Sequence, residues 1–214
     1  MKEKKSNFKK ILIILILVIL GITLYGRYIN TKGLIVHEYG VKSKELPISF
    51  HGLKIIHFSD IHYGQTTSIN DLQKMVTKIN ELKPDIVVFT GDLFNKNIKL
   101  SNDEIENITK ELEKIKPTLF KYSISGDTDL NNYNDYQKIM TESNFILLNN
   151  SNELLYYKGD IPIKIVGIID NKDLESAFKE ETVEQSFTIL LLHQPDQIDN
   201  LNNYRVDIAL AGLS

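Results

Sequence analysis

Short apolar runs, each closed by a glycine turn or by an acidic or imidazole residue, leave this chain few folds to choose from. Residues 53–59, 85–90 and 187–192 are apolar almost throughout, as in strands buried on both faces of a sheet, and residues 119–125 read as a further strand. Helical patterns separate the first three. Residues 68–82 put Ile69, Leu72, Met75, Val76 and Ile79 on one face, with Ser68 and Asp71 spaced as an N-cap pair. Residues 101–116 open on a Ser101/Glu104 capping box and stop at Pro117, and residues 133–143 form a third helical stretch. Strands that alternate with helices predict a parallel sheet with helices packed on it.

The rhythm then changes. Residues 145–148, 154–157 and 161–168 are strand-like with short connections, which predicts a second, more antiparallel sheet. A short helix is expected over 172–180 and a last strand over 206–211. Ahead of the domain, residues 34–39 read as a strand, and residues 47–50 as a strand end before the His51-Gly52 turn. The sequence ends at Ser214 directly after a strand, so the C-terminal strands of such a fold are expected to be missing.

The N-terminus follows a different rule. Lys2, Lys4, Lys5, Lys9 and Lys10 precede residues 11–25, which carry no charge and no amphipathic period. An apolar surface all round suits lipid, so residues 11–29 are expected to form a transmembrane anchor. The uncharged run is shorter than the ~20 residues that span a bilayer. Snorkelling by Lys9, Lys10 and Arg27, with Tyr25 and Tyr28 at the interface, makes up the length. A cleaved signal peptide is the competing reading, but Leu24-Tyr25-Gly26 is a poor cleavage site. Residues 1–10 then form a basic cytoplasmic tail of a single-pass protein, residues 30–52 a connector with the first strands, and residues 53–214 an extracytoplasmic domain.

Composition narrows the chemistry. The 214 residues contain no cysteine, which excludes disulfides and thiolate metal sites and leaves carboxylate, imidazole, amide and water as metal ligands. The net charge of −3 comes with no basic stripe, so no nucleic-acid partner is expected.

Those ligand types stand where the strands end. Ser59-Asp60-Ile61-His62 follows the first strand, Gly91-Asp92 the second and Gly126-Asp127-Thr128-Asp129 the third, while His193 closes the strand at 187–192. In an open α/β sheet, the carboxyl ends of the strands are where ligand sites form. Carboxylates crowded there would repel one another and lose hydration unless a cation held them together. Asp60 and His62, two apart, would point the same way from an extended strand end. Asp129 reads as a turn or supporting residue. His57 reads as a hydrogen-bonded core histidine, and Tyr133 and Tyr136 as packing residues.

The order Asp-x-His, Gly-Asp, Gly-Asp-Thr-Asp, lone His resembles the calcineurin-like metallophosphoesterases, whose motifs run Asp-x-His, Gly-Asp, Gly-Asn-His-Asp/Glu, His and Gly-His-x-His. Residues 46–64 are similar to the membrane-anchored bacterial branch of that family. The resemblance implies an α/β two-sheet sandwich flanked by helices. It also implies up to two divalent ions (Mn, Fe or Zn), with Asp60 and His62 on the first, Asp92 bridging, and His193 with Asp127 on the second. The reaction implied is hydrolysis of a phosphoester, a small molecule or lipid head group at the bilayer surface. Three positions depart from the pattern. Asp127 stands in place of Asn and can still ligate. Thr128 stands where the family has its general-acid His, and a hydroxyl does not donate a proton near neutral pH. Leu213 follows Gly212 where a ligand His is expected. Weak or absent activity is therefore expected. The alternatives are a non-catalytic membrane-tethered binding or scaffold protein, or a fragment of a longer hydrolase.

Overall fold

A computed structural model describes residues 2–25, 34–170, 173–179 and 186–213. It divides into two compact units, residues 1–41 and 42–214.

The first unit contains helix α1, Lys2–Tyr25. At 1.5 Å per residue its 24 residues extend about 36 Å. From Leu12 to Ile22 every large apolar side chain is exposed, in keeping with a run that has no polar face. Among the described residues, no helix is long and apolar enough to cross a membrane. Residues 26–29 of the expected anchor lie outside the described residues. Residues 34–39 are not a strand: they are irregular and exposed. Their β-branched and aromatic content is not enough when no neighbouring strand among the described residues completes the hydrogen bonds.

The second unit is a four-layer sandwich. Its first sheet has the order β1-β2-β3-β4 and is parallel throughout, built from Ile55–Phe58, Ile86–Phe89, Phe120–Ser123 and Ile146–Leu147. Helices α2 (Ile69–Glu81), α3 (Asn102–Glu113) and α4 (Tyr133–Glu142) connect these strands. The capping boxes at Ser68/Asp71 and Ser101/Glu104 are both present. The second sheet has the order β5-β6-β7-β8, from Ser151–Leu155, Ile163–Ile168, Phe187–Leu192 and Ile208–Ala211.

This corrects the expected division of strands. The 145–148 segment joins the first sheet, parallel to β3, and among the described residues only the β5–β6 pair is antiparallel. The β6–β7 and β7–β8 pairs are parallel. The helix expected over 172–180 is Leu174–Phe178, and residues 171–172 and 180–185 lie outside the described residues. Residues 47–50 make a short 3-10 turn, Ile48–Phe50, rather than a strand end.

Side-chain alternation along the strands assigns the layers. Val87 and Phe89 of β2 face α2–α4, where Leu72, Ile108 and Ile139 meet them in one cluster. Ile86 and Val88 face the other way, onto Ile163, Ile165, Ile189 and Leu191 of the second sheet. The outer face of that sheet packs on Ala177, Phe178 and Leu201. Lys121 of β3 is buried on the helix side because its ammonium donates to the carbonyls of Leu112 and Ser143, at the ends of α3 and α4. Burial pulls that ammonium down to about 8.

Candidate metal centre

The strand exits β1 and β2 keep running side by side after the sheet ends. Asp60 N donates to Gly91 O (3.0 Å), His62 N to Asp92 O (3.0 Å) and Tyr63 N to Leu93 O (2.8 Å). Asp60, His62 and Asp92 all take left-handed backbone, with φ of 55°, 45° and 60°. Asp60 and His62 thus converge by two tight turns rather than by the two-residue alternation of a strand. Such conformations persist in non-glycine residues only when the surroundings hold them, and they cluster at functional sites.

One ligand atom from each of Asp60, His62 and Asp92 lies within 4.8 Å of the other two. His62 Nε2 is 3.7 Å from Asp60 Oδ1 and 3.8 Å from Asp92 Oδ2. From the second sheet, His193 brings its Nε2 to 3.4 Å from the same Asp92 Oδ2. The other oxygen, Oδ1, accepts the amide of Thr128 at 2.9 Å. Asp92 is therefore fixed through one oxygen and presents the other to two imidazoles.

His193 is held by its far nitrogen. Nδ1 lies 2.7 Å from the carbonyl of Thr90, so it carries a proton, and Nε2 is the nitrogen left to ligate a cation once it gives up its own. Nε2 is buried and makes no hydrogen bond. Burial disfavours charge on this ring, but Asp92 and the Thr90 carbonyl outweigh it and hold His193 up at about 9. Burial likewise raises the Asp92 carboxyl, and its contacts with His193 and Thr128 bring it below the usual carboxylate range. A buried, unbonded imidazole nitrogen facing a shared carboxylate, beside a second Asp and His, fits a divalent cation of the Mn, Fe or Zn type.

Close packing of backbone brings the pieces together. Gly91 has φ 93°, and a Cβ there would lie 2.3 Å from Gly126 N. A Cβ on Gly126 would meet Asp92 Oδ1 at 2.3 Å, and one on Gly212 would meet Ser59 Oγ at 2.4 Å and His193 Nδ1 at 2.7 Å.

The remaining candidates are placed differently. Asp127 is exposed, and its Oδ2 accepts a hydrogen bond from Gln194 Nε2; it is not one of the three mutually close ligands. The Thr128 hydroxyl donates to Phe94 O at 2.8 Å. The Leu213 amide donates to Asp60 Oδ2 at 3.1 Å, and its side chain is exposed. Asp129 is fully buried and accepts four backbone amides. His57 is bonded to Thr90 Oγ1 at 2.7 Å, and burial lowers its pKa. Tyr136 is buried and bonds Ile124 O.

Residues 53–212 match the calcineurin-like phosphoesterase family. The chain belongs to that family. Among relatives of this chain, the Bacillus subtilis metallophosphoesterase YkuE is 30% identical over 88% of the chain and 67% of its own length. A zebrafish (Danio rerio) protein named "Transmembrane protein with metallophosphoesterase domain" is 28% identical over 82% of the chain and 42% of its own length. The UDP-2,3-diacylglucosamine pyrophosphatase LpxG of Chlamydia muridarum is 24% identical over 77% of the chain and 64% of its own length. The chain thus spans from under half to two thirds of these relatives.

Proposed function

We propose that this chain is a membrane-held, metal-dependent phosphoester hydrolase whose site binds a divalent ion and turns substrate over weakly. The observation that carries the reading is the convergence of Asp60 and His62 with the unbonded Nε2 of His193 on the one free oxygen of Asp92. Asp60, His62 and Asp92 would hold one ion, with His193 beside it on Asp92. When bound, such an ion polarises phosphoryl oxygens and acidifies water.

The chain's own residues supply less than the family pattern asks. The Thr128 amide orients Asp92, but its hydroxyl proton is committed to the Phe94 carbonyl and is not offered to a leaving group. General acid catalysis is typically worth ~10²–10⁴-fold, so its loss predicts slow turnover. The same feature supports a second reading, a non-catalytic protein that binds a metal and a phosphate group.

The membrane reading is supported by the exposed apolar side chains of α1, by the lysines in its N-terminal part and by the names of relatives in zebrafish and Bos taurus. With basic residues on the cytoplasmic side, the domain lies on the opposite face. A phosphoester at the bilayer surface, in particular a lipid head group, is the substrate class we favour. The named activity of the Chlamydia relative supports it.

The test is to purify the 214-residue chain in detergent, load it with Mn²⁺ and assay a chromogenic phosphodiester and monoester against Asp92→Asn. Slow metal-dependent turnover that Asp92→Asn abolishes supports a hydrolase. Mn²⁺ binding without turnover favours the non-catalytic reading, and no Mn²⁺ binding removes both.

A further inference from the structure

We propose that Asp129 is a positioning residue for the metal-binding carboxylate, clasping the two loops that carry the site. This rests on the metal-site reading above. Asp129 stands outside the candidate ligands, yet no carboxylate in the described structure is more completely enclosed: its exposure is 0%. Both of its oxygens are occupied by backbone. Oδ2 accepts Asp92 N at 2.8 Å and Gly126 N at 2.9 Å; Oδ1 accepts Leu93 N at 2.9 Å and Phe94 N at 3.3 Å. Three successive amides after β2 and one after β3 thus converge on one carboxyl group, the concave arrangement that binds anions elsewhere in proteins; burial raises its pKa to about 7 against the pull of these amides.

Two features of the site need such a clasp. Asp92 holds a left-handed backbone, a strained state for a non-glycine residue. The Gly91 and Gly126 backbones also lie too close for any Cβ between them. With its amide fixed by Asp129, Asp92 can give one oxygen to Thr128 N and aim the other at His62 and His193. An asparagine would replace one acceptor by an –NH₂ facing backbone donors, so the four bonds cannot all survive.

Asp129→Asn in the full chain, in detergent, is compared with wild type and with Ile108→Ala, a core substitution in α3 that lowers stability and alters neither a candidate ligand nor Asp129. Thermal melting and Mn²⁺ titration calorimetry are read for each. The expected result is a folded Asp129→Asn with Mn²⁺ affinity at least tenfold weaker, while Ile108→Ala at a comparable melting temperature binds within twofold of wild type. Wild-type affinity in folded Asp129→Asn, or an equal loss in Ile108→Ala, overturns the proposal. Amide hydrogen exchange on the unsubstituted, metal-free chain decides if Asp129→Asn does not fold. The amides of Asp92, Leu93, Phe94 and Gly126 should be protected together, and exchange at free-peptide rates overturns the clasp. If wild type binds no Mn²⁺, the metal reading fails while the exchange measurement still judges the clasp.

Discussion

Leu213 donates its backbone amide to Asp60 Oδ2 at 3.1 Å, joining positions 153 residues apart. The segment after β8 therefore already reaches the site, but it contributes an amide where the family pattern has an imidazole. Leu213→His is expected to strengthen Mn²⁺ binding by about tenfold, roughly 1.4 kcal/mol. Calorimetric titration of the variant checks it; unchanged affinity would mean that this side chain does not turn toward Asp60.

Thr128 is the second position where chemistry can be returned. Its amide bond to Asp92 is independent of its side chain, so Thr128→His should keep that carboxylate in place. Turnover of a phosphodiester at saturating Mn²⁺ should rise at least tenfold, within the ~10²–10⁴-fold that a general acid can supply. Mn²⁺ affinity should stay within a few-fold of wild type. A rise in affinity without a rise in turnover would count against an acid role for this position.

Metal-free stability should depend on pH through His193. Its folded value of about 9 lies above the ordinary 6.5, so the folded state binds this proton more tightly than the unfolded chain. The stabilisation is fully present below pH 6.5 and is lost as pH rises toward 9. Melting temperatures measured in chelator should therefore fall across that window more steeply for wild type than for His193→Gln. The burial-lowered Lys121 acts in the opposite sense above about pH 8, and it cancels in the difference between the two proteins. Parallel curves would show that His193 is not charged in the metal-free fold.

Gly126→Ala tests the close approach of the two loops. A Cβ 2.3 Å from Asp92 Oδ1 must displace either that carboxylate or the loop. The cost of such overpacking is typically ~1–3 kcal/mol, a loss of several degrees in melting temperature. Mn²⁺ affinity should fall with it, because the atom displaced belongs to the central ligand. Gly159→Ala, where the nearest atoms would be 3.9 Å away, should change neither.

Topology is tested by protease access in intact cells and in spheroplasts of a bacterial host. The domain should be cut without breaking the inner membrane, and the purified protein should retain its N-terminal lysines. Protection in both preparations, or a mature N-terminus near Gly26, would contradict the proposed orientation and anchor.

Much of the scaffold is written locally. The Ser68/Asp71 and Ser101/Glu104 pairs locate two helix starts because capping uses only neighbouring residues. The apolar runs of β2 and β7 are legible because both faces of those strands are buried, while β1, at the edge of its sheet, is apolar but only half-buried. What could not be read is whatever depends on partners remote in sequence. The 145–148 segment pairs with β3 rather than with the strands that follow it, and residues 34–39 have strand-like side chains but no partner strand among the described residues. At the site, Asp60, His62, Asp92 and His193 are marked by residue type at strand ends, and the structure gathers them. Asp127 carries the same mark, yet its carboxylate turns to Gln194, a contact set by the loop after β7. Asp129 looks like one more turn residue because its four donors are backbone amides, which leave no trace in side-chain chemistry.

The left-handed backbone shared by Asp60, His62 and Asp92 has an evolutionary consequence. All three lie beyond the last paired rungs of β1 and β2, so a change of side chain at these positions removes no rung of that sheet. Point changes in a lineage built this way would alter the reagents on display while the ladder behind them stays paired.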